Sequence, residues 1–146
     1  MTRIDFYFNI EDKFRHIAEL AQHALARRRR LFVYMPDAHA TARLENTLWT
    51  HPPAAFLPHC RNDHPLRAET PIILDSDGEN LPHDDVLINL TEEHPPFFSR
   101  FKGLIEVVGR DDNDRNQARA RYRFYRDRGY EIKSHDVEME NNNGRR

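Results

Sequence analysis

The 146-residue chain is poor in the residues that several common chemistries need. Its single cysteine, Cys60, excludes an internal disulfide bond and gives no sign of an oxidising compartment. The five glycines fall in neither a G-x-G-x-x-G nor a G-x-x-x-x-G-K-[ST] frame, so the backbone cradle for a nucleotide phosphate is missing. No apolar run approaches the roughly 18 residues of a membrane span, and the acidic start is not that of a signal peptide. We therefore expect a soluble, cytoplasmic protein without a bound nucleotide.

Charge of one sign is not in excess either. The 22 basic and 24 acidic residues leave a formal net charge of −2, so the whole molecule does not attract DNA, and any attraction for an anion must be local. Only three of the basic residues are lysines: Lys13, Lys102 and Lys133. Because such a preference for arginine can reflect genomic base composition, it does not by itself indicate nucleic-acid binding.

Candidates for a metal site or a nucleophile are confined to "PHCRNDH", which contains His59, Cys60 and His64. No second pair of ligands completes a four-ligand zinc site, which favours a structural loop over a metal site. Cys60 would need a base and an electropositive pocket to act as a nucleophile, and adjacent side chains such as His59 rarely point at each other. We predict no metal, no cofactor and no catalytic residue.

The order of apolar patterns along the chain predicts the fold. Short apolar or β-branched runs predict strands at 3–10, 31–35, 71–74, 85–90, 103–108 and 130–138. Helical spacing predicts helices at 11–30, 36–49 and 112–128, with a short helix at 97–101. Strands alternating with helices indicate an α/β three-layer sandwich with a mostly parallel central sheet, Rossmann-like in topology but lacking the nucleotide-binding loop. We expect one domain over 1–137 and a polar, disordered tail over 138–146.

The segment "RNQARARYRFYRDRGY", residues 115–130, holds six arginines and only one acidic residue, Asp127. At about 100° per residue, four of the arginines fall within a sector of about 80° on the last helix. We call these four the arginine ridge: Arg115, Arg119, Arg123 and Arg126. Ala118, Tyr122 and Tyr125 centre about 90° away, where the core should lie, with Tyr122 at the border. Phe124 belongs to neither face.

Three interpretations of the arginine ridge follow from its chemistry. Like charges at this spacing repel each other, and no glutamate lies on the ridge to relieve them, which argues against a merely solvated face. Arginines beside aromatic rings could bind single-stranded nucleic acid by phosphate contacts and base stacking. They could also bind a short acidic peptide, whose carboxylates suit the guanidinium fork. The net charge and the shortness of the ridge count against nucleic acid.

The chain resembles the chi subunit family of the bacterial DNA polymerase III holoenzyme from its first strand to about residue 135. The resemblance rests on "DFY", on "ARLENTLWTHPPAAFLPH" with its L-W…P…F-x-P-H pattern, on "DVLINL" and "EVV", and on "ARARYRFYRDRGYEI" with its Y-[KR]-x-Y-[KR]-x-x-G core. Each motif is weak alone, but together and in this order they are specific.

This resemblance implies a non-catalytic clamp-loader accessory protein that binds the acidic C-terminal tail of single-stranded DNA-binding protein (SSB) and meets DNA only through SSB. The family's tail-binding positions match Arg115, Arg119, Tyr122 and Arg123, and the ridge geometry adds Arg126. The resemblance also implies a second partner, the small psi subunit. We assign Trp49 and Phe56 to that contact because exposed aromatic residues anchor interfaces, although both could equally be core. A single-stranded nucleic-acid-binding module that uses the same arginines is the alternative.

Overall fold

A computed structural model describes residues 1–50 and 57–139 as one seven-stranded sheet flanked by helices. The strands are β1 (Arg3–Ile10), β2 (Leu31–Tyr34), β3 (His59–Cys60), β4 (Ile72–Asp75), β5 (Val86–Asn89), β6 (Gly103–Gly109) and β7 (Ile132–Asp136). The helices are α1 (Lys13–Ala26), α2 (Ala38–Thr50) and α3 (Asp112–Asp127), with a 3-10 turn at Phe98–Arg100. All neighbouring strands are parallel, in the order β3-β4-β2-β5-β6-β1-β7.

Two apolar layers cover the two faces of this sheet. One contains α1 and α2, which pack through residues such as Ile17 and Leu44 on the sheet. The other contains α3 and the 3-10 turn, which pack through Tyr125 and Phe98 on the opposite face. The central strands are buried on both sides, which explains why they read as uninterrupted apolar runs in the sequence. The predicted three-layer α/β sandwich is confirmed.

The first helix is shorter than predicted, because α1 ends at Ala26 rather than at Arg30. Arg28 adopts the left-handed conformation, with φ at 58°, and its N–H donates to the Leu25 carbonyl. The Arg29 N–H reaches back to the Ala24 carbonyl at 2.8 Å, which completes a Schellman motif. The positive charge of the four arginines at 27–30 suits the end of a helix. It does not predict a stop at Ala26, because that stop depends on a residue other than glycine at positive φ.

Arg30 lies outside α1, just before β2, and bonds to the segments that precede β5 and β4. Its backbone N–H donates to Asp85 Oδ2 at 2.9 Å, just before β5 begins. Its guanidinium donates to the carbonyl of Ala68 at 2.9 Å, with longer contacts to those of Arg67 and Thr70. The residue is therefore a brace between three chain segments, a role that no local pattern predicts.

The structure also contains a strand that the sequence did not predict. β3 is only two residues long and pairs His59 and Cys60 with Ile72 and Ile73 of β4, so its signal is too short for any periodicity. No described helix is long and apolar enough to cross a membrane. The domain boundary at residue 137 stays a prediction, as does the disordered tail, because residues 140–146 lie outside the described residues.

Candidate functional site

Local signals at both ends fix where α3 begins and ends. The Asp111 side chain accepts from the Asp114 N–H at 3.2 Å and caps the start of the helix. At the other end Gly129 has a φ of 84°, and the Tyr130 N–H bonds to the Tyr125 carbonyl, as in a Schellman motif. Glycine is the residue expected at this position, because it adopts positive φ without strain. The helix packs on β6, with Ala118 and Tyr125 buried.

A buried carboxylate joins α3 to the sheet. Glu106 of β6 is 0% exposed, and Arg121 of α3 is 4% exposed. Arg121 Nε donates to Glu106 Oε1 at 3.0 Å, and the Tyr125 hydroxyl donates to Oε2 at 2.6 Å. Asn89 Nδ2, at the end of β5, lies 3.2 and 3.1 Å from the two carboxylate oxygens. Arg121 Nη1 also donates to the Glu92 carbonyl at 2.7 Å. These bonds fix the rotation of α3 and therefore which of its residues face solvent.

Burial and hydrogen bonding act in opposite directions on this carboxylate. Burial raises the pKa of Glu106 above its ordinary value, and the charge of Arg121 with the donors Tyr125 and Asn89 offsets part of that rise. Burial and the adjacent carboxylate raise the pKa of Tyr125 well above that of a free phenol, so its hydroxyl remains a donor. Arg121 is thus a structural cation, although it lies among the arginines that the sequence groups together.

On the opposite side of α3, three members of the arginine ridge are exposed: Arg119, Arg123 and Arg126. Arg119 Nη1 donates to Asn116 Oδ1 at 2.9 Å, and Arg126 Nη2 lies 3.2 Å from Asp127 Oδ1, both within the same helix. The Arg126 pair is exposed on both sides, and such pairs contribute little to stability. In the described part of the chain, no acidic residue of another element forms a salt bridge with the ridge.

Arg115, the fourth member of the ridge, is half-buried and held differently. Its Nη2 donates to Asn9 Oδ1 of β1 at 3.0 Å. The four guanidinium groups therefore form a row that begins beside β1 and continues along the exposed side of α3. The structure brings the four predicted arginines together.

Tyr122 lies at the border between the ridge and the core, as the helical geometry predicts. It is half-buried, and its ring packs edge-on against Phe6 of β1 at 5.4 Å between centroids. The ring is thereby held against the core, and the residue keeps part of its surface exposed next to the ridge. An apolar group could pack there next to guanidinium groups.

Phe124, which the sequence assigned to neither face, has a defined set of contacts. Its ring stacks on His94 at 3.5 Å between centroids, and the Arg128 guanidinium lies 3.5 Å from the ring centroid. Burial and the nearby Arg128 charge lower the pKa of His94. Phe124 therefore packs α3 against the loop that follows β5. It contributes to the packing of the helix and is not part of the ridge.

The aromatic residues assigned to a second contact lie elsewhere on the molecule. Trp49, at the end of α2, is 61% exposed and is not part of the core. Its ring packs edge-on against His59 of β3, the outermost strand at one side of the sheet. The ridge contacts β1, which lies five strand spacings from β3, or about 24 Å at about 4.8 Å per strand. Phe56 lies outside the described residues.

Comparison with known proteins gives the family. The model of the family described as DNA polymerase III chi subunit, HolC, matches residues 1–133. A protein named DNA polymerase III subunit chi from Pseudomonas aeruginosa is 32% identical over 139 residues, which cover 92% of this chain and 96% of that protein. The chain belongs to the DNA polymerase III chi subunit family.

Two further chi subunits are similar to this one. The protein from Haemophilus influenzae is 35% identical over 95 residues, covering 64% of this chain and 66% of its own. The protein from Escherichia coli K12 is 26% identical over 117 residues, covering 80% of both chains. Membership of the chi family makes the chain an accessory subunit of DNA replication. The matched range, residues 1–133, includes the whole arginine ridge, Tyr122 and Trp49.

The histidines and cysteine of "PHCRNDH" have local roles in this chi-family chain. His59 Nδ1 lies 2.7 Å from the Leu57 carbonyl, and His64 Nδ1 accepts from the Leu66 N–H at 3.0 Å. Cys60 is a free, half-buried thiol in β3. Within residues 1–50 and 57–139, no three histidine, cysteine or acidic side chains form a group that could hold a metal ion. The absence of stoichiometric zinc stays a prediction for metal analysis.

Proposed function

We propose that this chain binds the acidic C-terminal tail of SSB along the arginine ridge and links SSB to the clamp-loader assembly of DNA polymerase III. In this role it is a non-catalytic adaptor. The observation that carries the proposal is a row of exposed guanidinium groups, beside a half-buried tyrosine, for which the described part of the chain offers no acidic partner outside α3. Such a row favours an anionic ligand from another molecule.

The two kinds of group on this surface suit the two parts of an acidic tail that ends in an apolar residue. Arginine binds carboxylates through a planar fork of donors, which gives direction as well as charge. The open part of Tyr122 offers a surface for the apolar terminal side chain, and its contact with Phe6 holds the ring in place. Because a flexible peptide loses freedom on binding, we expect an affinity around the micromolar range.

The second part of the proposal concerns the side of the sheet where β3 is the outermost strand. We assign Trp49 to the contact with psi, the small subunit through which chi proteins join the clamp loader, and Phe56 to the same contact on the sequence alone. An exposed tryptophan is a residue type that carries much of the energy of interfaces. The separation of Trp49 from the ridge would allow both partners to bind at once, as a linking role requires.

Trp49→Ala should weaken binding to psi by about 2 kcal/mol or more, a typical effect for a tryptophan at the centre of an interface. Because the side chain is exposed, the free energy of unfolding should change by less than about 1 kcal/mol. Affinity for the SSB tail should be unchanged. The measurement is calorimetry with psi and with the tail peptide, and Arg119→Ala is the matched variant that should show the reverse pattern. Unchanged affinity for psi would move that interface away from Trp49.

Titrations of the chain with a peptide of the SSB tail and with single-stranded oligonucleotide, each at low and high salt, test the proposed function. The peptide should bind, more weakly as salt rises, because charged contacts are screened. Tyr122→Ala should weaken peptide binding at both salt concentrations, because its contribution is packing rather than charge. Oligonucleotide that binds more tightly than the peptide, through the same arginines, would replace the adaptor with a nucleic-acid-binding module.

A further inference from the structure

Arg115 differs from the other members of the arginine ridge in how its side chain is held. Arg119 and Arg126 bond to residues of their own helix, and Arg123 has no partner in the part of the chain that the structure describes. Arg115 alone among the four bonds to another element, through its contact with Asn9 at 3.0 Å. Its half-buried guanidinium is thus the one least free to move before a ligand arrives.

Asn9 has an unusual backbone for a strand residue. Its φ is 61°, in the left-handed region that few residues other than glycine adopt. The pairing of β1 with β6 is irregular at this point, because Tyr7 pairs with Val107 and the next pair is Ile10 with Gly109. Such irregularities redirect a side chain out of the alternating pattern of the strand. Here the redirected side chain is the amide that meets α3.

The neighbours of Asn9 fix the orientation of its amide. Nδ2 donates to Asp136 Oδ1 of β7 at 3.1 Å, which places Oδ1 toward the Arg115 guanidinium. A flipped amide would turn its N–H groups toward a cation that can only donate and its oxygen toward a carboxylate that can only accept. Asp136 is held in turn by the N–H groups of Glu138 and Met139 at 3.1 and 3.3 Å. The acceptor for Arg115 is therefore itself fixed.

We propose that Asn9 is a positioning residue of the peptide site: it holds Arg115 ready to bind a carboxylate without touching the peptide itself. This inference rests on the proposed function. One bond to Asn9 occupies one of the five N–H donors of the guanidinium and leaves four for a ligand. A side chain that is already ordered loses less freedom on binding, so the same contacts yield a higher affinity.

A double-mutant cycle with the SSB-tail peptide tests the inference. Asn9→Gly keeps a residue that adopts positive φ without strain and removes only the amide. It should weaken peptide binding about three- to tenfold in the otherwise unchanged chain, the range expected for freeing one long side chain. In the Arg115→Ala background the same substitution should have no further effect. In the Arg119→Ala background, the matched control, its effect should remain.

The outcomes separate this inference from the function on which it rests. If the unchanged chain does not bind the peptide, or Arg119→Glu binds it as tightly, the proposed function fails. If those controls behave as expected but Asn9→Gly has no effect, or has an equal effect with and without Arg115, the positioning role alone is wrong. Should Asn9→Gly fail to fold, Asp136→Ala leaves residue 9 unchanged and removes the acceptor that orients its amide. Relative to its effect in the Arg115→Ala background, Asp136→Ala should weaken peptide binding in the otherwise unchanged chain, and an equal effect in the two backgrounds would contradict the positioning role.

Discussion

Arg121→Met should lower the free energy of unfolding by about 3–5 kcal/mol, because it leaves a buried carboxylate without its cation. Arg121 Nε is 3.0 Å from Glu106 Oε1, and neither side chain is exposed enough for water to replace the lost partner. The free energy of unfolding is measured by urea denaturation followed by circular dichroism. Arg119→Met is the matched control, since the same exchange at an exposed position of the same helix should change stability by less than about 0.5 kcal/mol.

The loss in the free energy of unfolding caused by Arg121→Met should depend on pH in a defined direction. Arg121 lowers the pKa of Glu106 against the effect of burial, so removing it raises that pKa further in the folded state. The folded variant then takes up a proton at a higher pH than the unfolded chain does, which stabilises it as the pH falls. Its deficit relative to the unchanged chain should be smaller at about pH 5 than at about pH 8. An equal deficit at both would mean that removing Arg121 does not change the protonation of Glu106 over this pH range.

Most of the fold could be predicted from the sequence because its elements carry their own local signals. The buried strands are continuous apolar runs, and α3 has an aspartate cap at its start and a glycine at its end. Two features had no such signal. β3 is too short for a pattern, and the end of α1 depends on Arg28 at positive φ, a conformation in which glycine would have been the expected residue.

The arginine ridge could be predicted from helical geometry, whereas the residues that hold α3 and Arg115 in place could not. Arg121, one of the six arginines of residues 115–130, lies outside the ridge and receives no role from the sequence, because an amphipathic pattern treats every arginine as polar. A signal was present: Glu106 shares a strand face with Leu104 and Val108, and a carboxylate on an apolar face needs a buried cation. Asn9 offered no signal, since its partner Arg115 lies 106 positions away in the chain.

The central claim, that the arginine ridge binds the acidic tail of SSB, is tested most directly by the affinity of folded Arg119→Glu for the tail peptide. We predict a loss greater than tenfold, which is more than about 1.4 kcal/mol, because the exchange removes a donor and adds repulsion. Arg27→Glu is the control: Arg27 is exposed just after the end of α1, which packs on the opposite face of the sheet from α3, and the change in net charge is the same. Its affinity should stay within about twofold, because charges farther away than the Debye length of about 8 Å are largely screened. Tail binding by Arg119→Glu at the affinity of the unchanged chain, or an equal loss in both variants, would contradict the claim.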